Sequence, residues 1–123
     1  MVLMSDTINV LHLEVEKEFI EKEVAKTDLH TLVGGDLKAN NLTDTIVLWS
    51  NLNAAVLDLR PNVALVSQGK IYEYVRGNIF FTSVDEESGA AKSISEEEIE
   101  WILSKYKMTL NVNDTIAKTL VLN

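Results

Sequence analysis

No cysteine occurs in the 123 residues, which excludes disulfides, thiolate metal sites and cysteine nucleophiles. Two histidines, His12 and His30, are the whole supply of imidazole, and they lack the close spacing of familiar metal motifs. No Ser-His-Asp or paired-carboxylate arrangement stands out, so the chain reads as a non-enzyme that needs no cofactor and no metal. Long apolar runs are missing too. No segment approaches the roughly 20 apolar residues of a membrane helix, and Met1-Val2-Leu3-Met4 lacks the basic flank of a secretory signal, which leads us to expect a cytoplasmic protein.

Basic residues are also scarce, 11 against 19 acidic ones, for a net charge of −8. The excess is uneven: Asp85, Glu86, Glu87, Glu96, Glu97, Glu98 and Glu100 face only Lys92 within residues 85–100. Direct nucleic-acid binding rests on basic patches that neutralise phosphates, and this balance disfavours it. Such a surface either keeps a small protein soluble or suits a partner with a basic surface. Trp101 lies beside the acidic run, and tryptophan is enriched at binding hot spots. It reads equally as a contact residue or as a ring folded over a neighbouring loop.

With 46% hydrophobic residues and a single proline, the chain suits one domain with one core. Residues 57–82 organise the reading. Pro61 has a fixed φ and biases Arg60 away from helix, so Arg60-Pro61-Asn62 forms a corner. An apolar strand follows, Ser67-Gln68-Gly69-Lys70 turns it back into residues 71–75, and Arg76-Gly77-Asn78 turns the chain again into residues 79–84. Three extended segments joined this way predict an antiparallel meander at the centre of the sheet.

Earlier in the chain, residues 7–15 place Ile8 and Val10 on one side and Leu11, Leu13 and Val15 on the other, which predicts a central strand buried on both faces. His12 shares the side of Ile8 and Val10 and reads as a hydrogen-bonded core residue. Residues 18–24 are rich in charge, as in an edge strand. Thr27 is placed to cap a short helix that Gly34 ends, with Leu29, Leu32 and Val33 on one face. Gly34-Gly35 is followed by an acid and does not make a phosphate loop. Residues 43–45 form a turn before a buried strand, Ile46-Val47-Leu48-Trp49.

Toward the C-terminus the local signals sharpen. Ser95 and Glu98 have the spacing of a capping box, Ile94 and Ile99 that of a hydrophobic staple, and Ile99, Ile102, Leu103 and Tyr106 fall on one helical stripe. Met108, Leu110 and Val112 alternate as in a strand, Asn113-Asp114 turns, and residues 115–122 read as strand or short helix. The fold class expected is α+β. It comprises a single domain with a mostly antiparallel sheet of five to seven strands, one capped helix in the C-terminal half and one short helix in the N-terminal half.

Several of these segments resemble a family of small domains of unknown function, encoded mainly by Gram-positive bacteria, their phages and plasmids. Val33-Gly34-Gly35 is similar to its helix-ending glycine pair, and Ile46–Asn51 to its apolar strand ending in Asn. Leu59-Arg60-Pro61-Asn62-Val63-Ala64-Leu65 resembles its Leu-Pro-Pro-Asn-Arg-Ala-Leu corner, Gly77-Asn78-Ile79-Phe80-Phe81 its Gly-x-Phe-Phe strand, and residues 94–106 its closing helix. The resemblance covers residues 7–106 and leaves 107–123 as a C-terminal extension. Arg60 and Val63 depart from the corner, so a site built on the family's arginine would be altered here.

The resemblance implies an accessory role in phage or mobile-element biology. Two functional expectations follow. The first is a protein that binds and inhibits or modulates a host protein with a basic surface, a defence or nucleic-acid-processing enzyme, through Asp85, Glu86, Glu87, Glu96, Glu97, Glu98, Glu100 and Trp101. The second is a small-molecule-binding domain with a pocket near Trp49, Asn51, Asp58, Arg60 and Asn62. A homodimer through an exposed sheet edge is compatible with either.

Overall fold

The computed structural model describes residues 6–110 and 116–123. Strands β1 (Thr7–Leu13), β2 (Phe19–Ala25), β3 (Leu37–Asn41), β4 (Ile46–Asn51), β7 (Ile79–Val84) and the two-residue β8 (Ala91–Lys92) form one sheet, ordered β2-β1-β7-β4-β3 with β8 on β7. Every pairing in it is antiparallel. Strands β5 (Pro61–Ser67), β6 (Lys70–Arg76), β9 (Tyr106–Leu110) and β10 (Ile116–Val121) form a second sheet, ordered β6-β5-β10-β9. There β10 runs parallel to β5 and the other pairs are antiparallel.

The expectation of one sheet is therefore corrected to two, and the meander to a sheet switch. Strands β5 and β6 do form a hairpin through Gln68 and Gly69, both at positive φ. Strand β7, however, leaves β6 and inserts between β1 and β4. The crossing is fixed at Gly77, whose φ of 79° favours glycine and whose added Cβ would lie 2.8 Å from Leu59 Cδ1. Its carbonyl accepts from the buried Asn62 amide at 2.9 Å, which also donates to Leu13 O at 2.9 Å. One side chain thus ties β1, the Pro61 corner and the sheet switch together.

The principal core lies between the sheets. Leu11, Leu13, Ile46, Leu48, Ile79 and Phe81 come from the first sheet and Val63, Leu65, Val75 and Leu120 from the second, with Ile94 and Ile102 added from around the helix. The first sheet is buried on its outer face as well. Ile8, Val10 and Phe80 pack there against Leu29 and Val33, as the double-sided apolar pattern of β1 requires. A 3-10 helix, Lys26–Leu32, supplies that cover. It begins after Ala25 without a side-chain cap, so Thr27 is not the cap expected. The backbone N–H groups of Gly34 and Gly35 return to His30 O and end it.

The α-helix α1 (Glu96–Lys105) starts with the full capping box: Glu98 N donates to Ser95 Oγ and Ser95 N to the Glu98 carboxylate. Its buried stripe is rotated from the one the sequence suggests. Ile99, Trp101, Ile102 and Tyr106 meet the core, whereas Leu103 is 47% exposed. After Lys105 the chain turns extended at Tyr106 and opens β9. That turn brings Tyr106 edge-on to Phe19, with ring centroids 4.8 Å apart.

The C-terminal residues are integral to the fold. Strand β10 lies between β5 and β9, Leu120 is fully buried, and residues 116–121 are strand rather than helix. Val112, Asn113 and Asp114 lie outside the described residues.

Candidate functional site: an acidic trough

The loop after β7 and the start of α1 approach one another because β8 doubles back on β7, pairing Ser83 with Lys92 and Val84 with Ala91. Asp85 shapes the intervening turn: its carboxylate accepts the backbone N–H groups of Glu87 at 2.8 Å and Ser88 at 3.2 Å. These bonds hold its pKa below the usual carboxylate range, so it stays ionised. Ile94 N, bonded to Asn9 O, then aims the capping box back toward the turn.

The result is a hollow of about 680 Å³ lined by Asp85, Glu86, Glu87, Glu97, Glu98, Lys92 and Ser95, among others. A second hollow, about 360 Å³, shares Val84, Asp85 and Glu86 with it and continues over Ala39, Val47, Trp49 and Asp44. Together they make one open trough. One end is acidic. The other has an apolar floor on the outer face of the first sheet, where Trp49 pairs across the strands with Ala39 and Phe80. The Trp49 indole is fixed by a 2.8 Å bond from Nε1 to Thr82 Oγ1 and by stacking on Phe80.

Of the residues expected to bind a partner, the trough therefore gathers Asp85, Glu86, Glu87, Glu97 and Glu98 and adds Asp44 and Trp49. Glu96 and Glu100 are exposed on α1 and do not line it. Trp101 does not line the trough; it packs partly against the core, with Lys105 Nζ 5.6 Å from its ring. Trp49 was legible as a strand residue, but only the β4–β7 register shows that it shares a hollow with residues 85–86.

The five residues expected to form a small-molecule pocket take separate tasks. Asn51 donates to Val33 O at 3.1 Å and accepts from Asn53 N at 2.7 Å, and Gly35 sits so close that an added Cβ would lie 3.0 Å from its amide nitrogen. Asn62 holds the sheet switch. Arg60 pairs with Glu16 on the surface, Asp58 lies 3.9 Å from the Arg76 guanidinium at an exposed turn, and Trp49 borders the trough. The two asparagines spend their amides on backbone, so they are clasps in this fold.

Among the described residues, two buried titratable groups lie elsewhere. His12 is 4% exposed, its Nε2 is 3.4 Å from Leu32 O, and Nδ1 has no hydrogen-bond partner among the described residues. Desolvation and then Lys22 push its pKa below 6.5, so the ring is neutral at neutral pH. Lys118 is 6% exposed and donates to Glu14 O at 3.0 Å, Lys17 O at 2.7 Å and Asn62 Oδ1 at 3.3 Å. Burial lowers its pKa. Its ammonium closes the β1–β2 turn from inside. Among the described residues no cluster of three or more His, Cys, Asp or Glu side chains could hold a metal ion.

The model of a domain of unknown function, DUF3846, matches residues 8–108. The chain belongs to this family. The DUF3846 match includes the whole trough and ends within β9, short of the strand that completes the second sheet. No curated protein and no solved structure matches the chain. No helix among the described residues is long and apolar enough to cross a membrane.

Proposed function

We propose that this DUF3846 chain is a binding protein whose acidic trough takes a basic segment of a partner protein, and that it acts by inhibiting or modulating that partner. The observation that carries the reading is the junction of the two hollows at Asp85 and Glu86. Asp85 and Glu86 of the β7–β8 turn border both the carboxylates at the start of α1 on one side and the hollow of the fixed Trp49 indole on the other. Arginine is the side chain best suited to such a place, since its guanidinium can pair with carboxylates and stack on an aromatic face. The trough is open to solvent along its length, so it suits a segment of chain rather than an enclosed metabolite.

A host defence or nucleic-acid-processing enzyme offers the matching chemistry, because a basic groove that accepts phosphates also accepts a row of carboxylates. Capture from host lysate at low and high salt tests this, with a Glu86→Lys, Glu87→Lys, Glu97→Lys variant in parallel. These three glutamates are exposed and their side chains make no hydrogen bond among the described residues, unlike those of Asp85 and Glu98, so reversal leaves the turn and the helix cap intact. A partner held by the unaltered chain, released by salt and absent from the variant supports the reading. Equal capture by both chains removes the trough from consideration.

A further inference from the structure

We propose that the segment taken by the trough adds to the free edge of β3 as an extended strand, with basic side chains toward the trough and apolar ones toward the seam between the two sheets. The inference rests on the reading of the trough as a site for a basic segment and adds how the segment's backbone is held. Strand β3 ends the first sheet, next to β4. Leu52 N donates to Asp36 O and Leu42 N to Ile46 O, at the two ends of that pair. Antiparallel bonding alternates, so Lys38 and Asn40 direct their backbone groups to β4, and Leu37, Ala39 and Asn41 direct theirs outward. Among the described residues no backbone group bonds to those outward N–H and C=O groups.

The edge is unguarded. Exposed edges are commonly blunted by charge or proline, and β2, at the other end of the sheet, carries Glu21, Lys22 and Glu23. Strand β3 has Lys38 alone, and its ammonium turns to Glu73 on β6, 3.7 Å away. Ala39 and Asn41 share the outer face with Trp49 and Val47 and line the trough together with Asp44, Asp85 and Glu86. An added strand thus runs along the rim of the trough. Its alternate side chains cross Ala39, the smallest residue of β3, toward the indole and these carboxylates. The remaining side chains enter the seam between β3 and β6, where Tyr74 borders one hollow with Lys38 and Tyr72 borders another with Leu42. Those tyrosines are 60% and 51% exposed, aromatic surface that a strand there would cover.

Charge selects the occupant. The trough side of the edge is acidic, so basic residues at every second position complement it, and only an extended backbone presents them that way. A second copy of this chain is the wrong occupant. Pairing β3 with β3 about a two-fold axis normal to the sheet sets two troughs side by side on one face, where their carboxylates repel. Backbone bonds to Leu37, Ala39 and Asn41 supply affinity without regard to side chains, and the alternation of basic and apolar residues supplies the choice of partner.

Fluorescence anisotropy with a labelled nonapeptide alternating arginine and valine tests this. The unaltered chain should bind the peptide and release it at high salt. Ala39→Pro removes one outward N–H and leaves the bonds to β4 untouched, so affinity should fall about tenfold or more, while Ala39→Ser keeps it. Circular dichroism and the urea midpoint check that Ala39→Pro keeps the fold. Peptides N-methylated on all arginine or on all valine amides probe the other strand without altering the chain. In an added strand only one of these sets faces β3, so one peptide should lose binding and the other retain it. Equal binding of the two methylated peptides, or affinity unharmed by Ala39→Pro, overturns the strand, while the Glu86→Lys, Glu87→Lys, Glu97→Lys variant still tests the trough. A peptide that the unaltered chain does not bind overturns both readings. Sedimentation of the chain alone tests the second copy: a dimer that Ala39→Pro dissolves would give it the edge and overturn the proposal.

Discussion

Replacing Asn62 by alanine should remove more stability than any other single polar truncation near the Pro61 corner. The side chain is 7% exposed and donates at 2.9 Å to Leu13 O and at 2.9 Å to Gly77 O, while its oxygen accepts from the Lys118 ammonium. A net neutral hydrogen bond contributes about 1 kcal/mol and one to a charged group about 1.5 kcal/mol or somewhat more. Alanine leaves two carbonyls short of a donor and the ammonium with two acceptors rather than three. The combined loss is about 3–4 kcal/mol, a large part of the 5–15 kcal/mol by which a domain is stable.

With a urea m-value of about 2 kcal/mol/M, that loss lowers the unfolding midpoint by about 1.5–2 M. Asn62→Asp separates the contributions. It keeps an oxygen for Lys118 but sets a carboxylate against two carbonyls, so it should be destabilised as well. A midpoint within about 0.5 M of the unaltered chain for Asn62→Ala would refute the claim that this amide holds the sheet switch.

Three further outcomes follow from the same structure. Gly77→Ala places a Cβ against Leu59 at positive φ and should cost about 1–2 kcal/mol or more by urea unfolding, with Gly89→Ala, also at positive φ but with open space around it, costing less. Ser95→Ala removes the cap that accepts from Glu98 N and should lower stability by about 1 kcal/mol, read from the thermal midpoint; no change would mean that the cap is idle. His12 binds its proton more weakly folded than unfolded. Stability should therefore be full above pH 6.5 and fall as pH drops from 6.5 to the lower folded value, a loss that a His12→Gln variant should not show in pH-dependent urea unfolding.

How much of this was legible in the chain depended on whether a signal was local. The capping box, the Gln68-Gly69 hairpin and the double-sided burial of β1 follow from neighbouring residues, and each appears where its sequence places it. The division into two sheets was not legible, because a tight turn at Arg76-Gly77-Asn78 reads the same whether the next strand pairs with β6 or crosses to β1. Asn62 decides it from a distance, through bonds to Leu13 and Gly77. Strand β3 was missed for a related reason: Leu37–Asn41 carries polar residues, and its pairing with β4 supplies what its own pattern does not.

For the site, the acidic run was plain in the sequence and its shape was not. Charge put Glu96 and Glu100 with the rest, and nearness to the acidic run put Trp101 there; none of the three lines the trough, and the register brings in Trp49 and Asp44 from elsewhere. The asparagines and Arg60 looked like a polar constellation because turn residues cluster at one rim of a sheet. Their bonds show backbone clasps and a surface ion pair.

The central claim is that the trough binds a basic protein segment. The most direct measurement is the affinity of a purified captured partner for the unaltered chain and for the Glu86→Lys, Glu87→Lys, Glu97→Lys variant, each at about 50 and 300 mM salt. The account predicts tight binding at low salt, a loss of at least tenfold at high salt, and a comparable loss in the variant at low salt. Affinity unchanged by both the salt and the three reversals would contradict it.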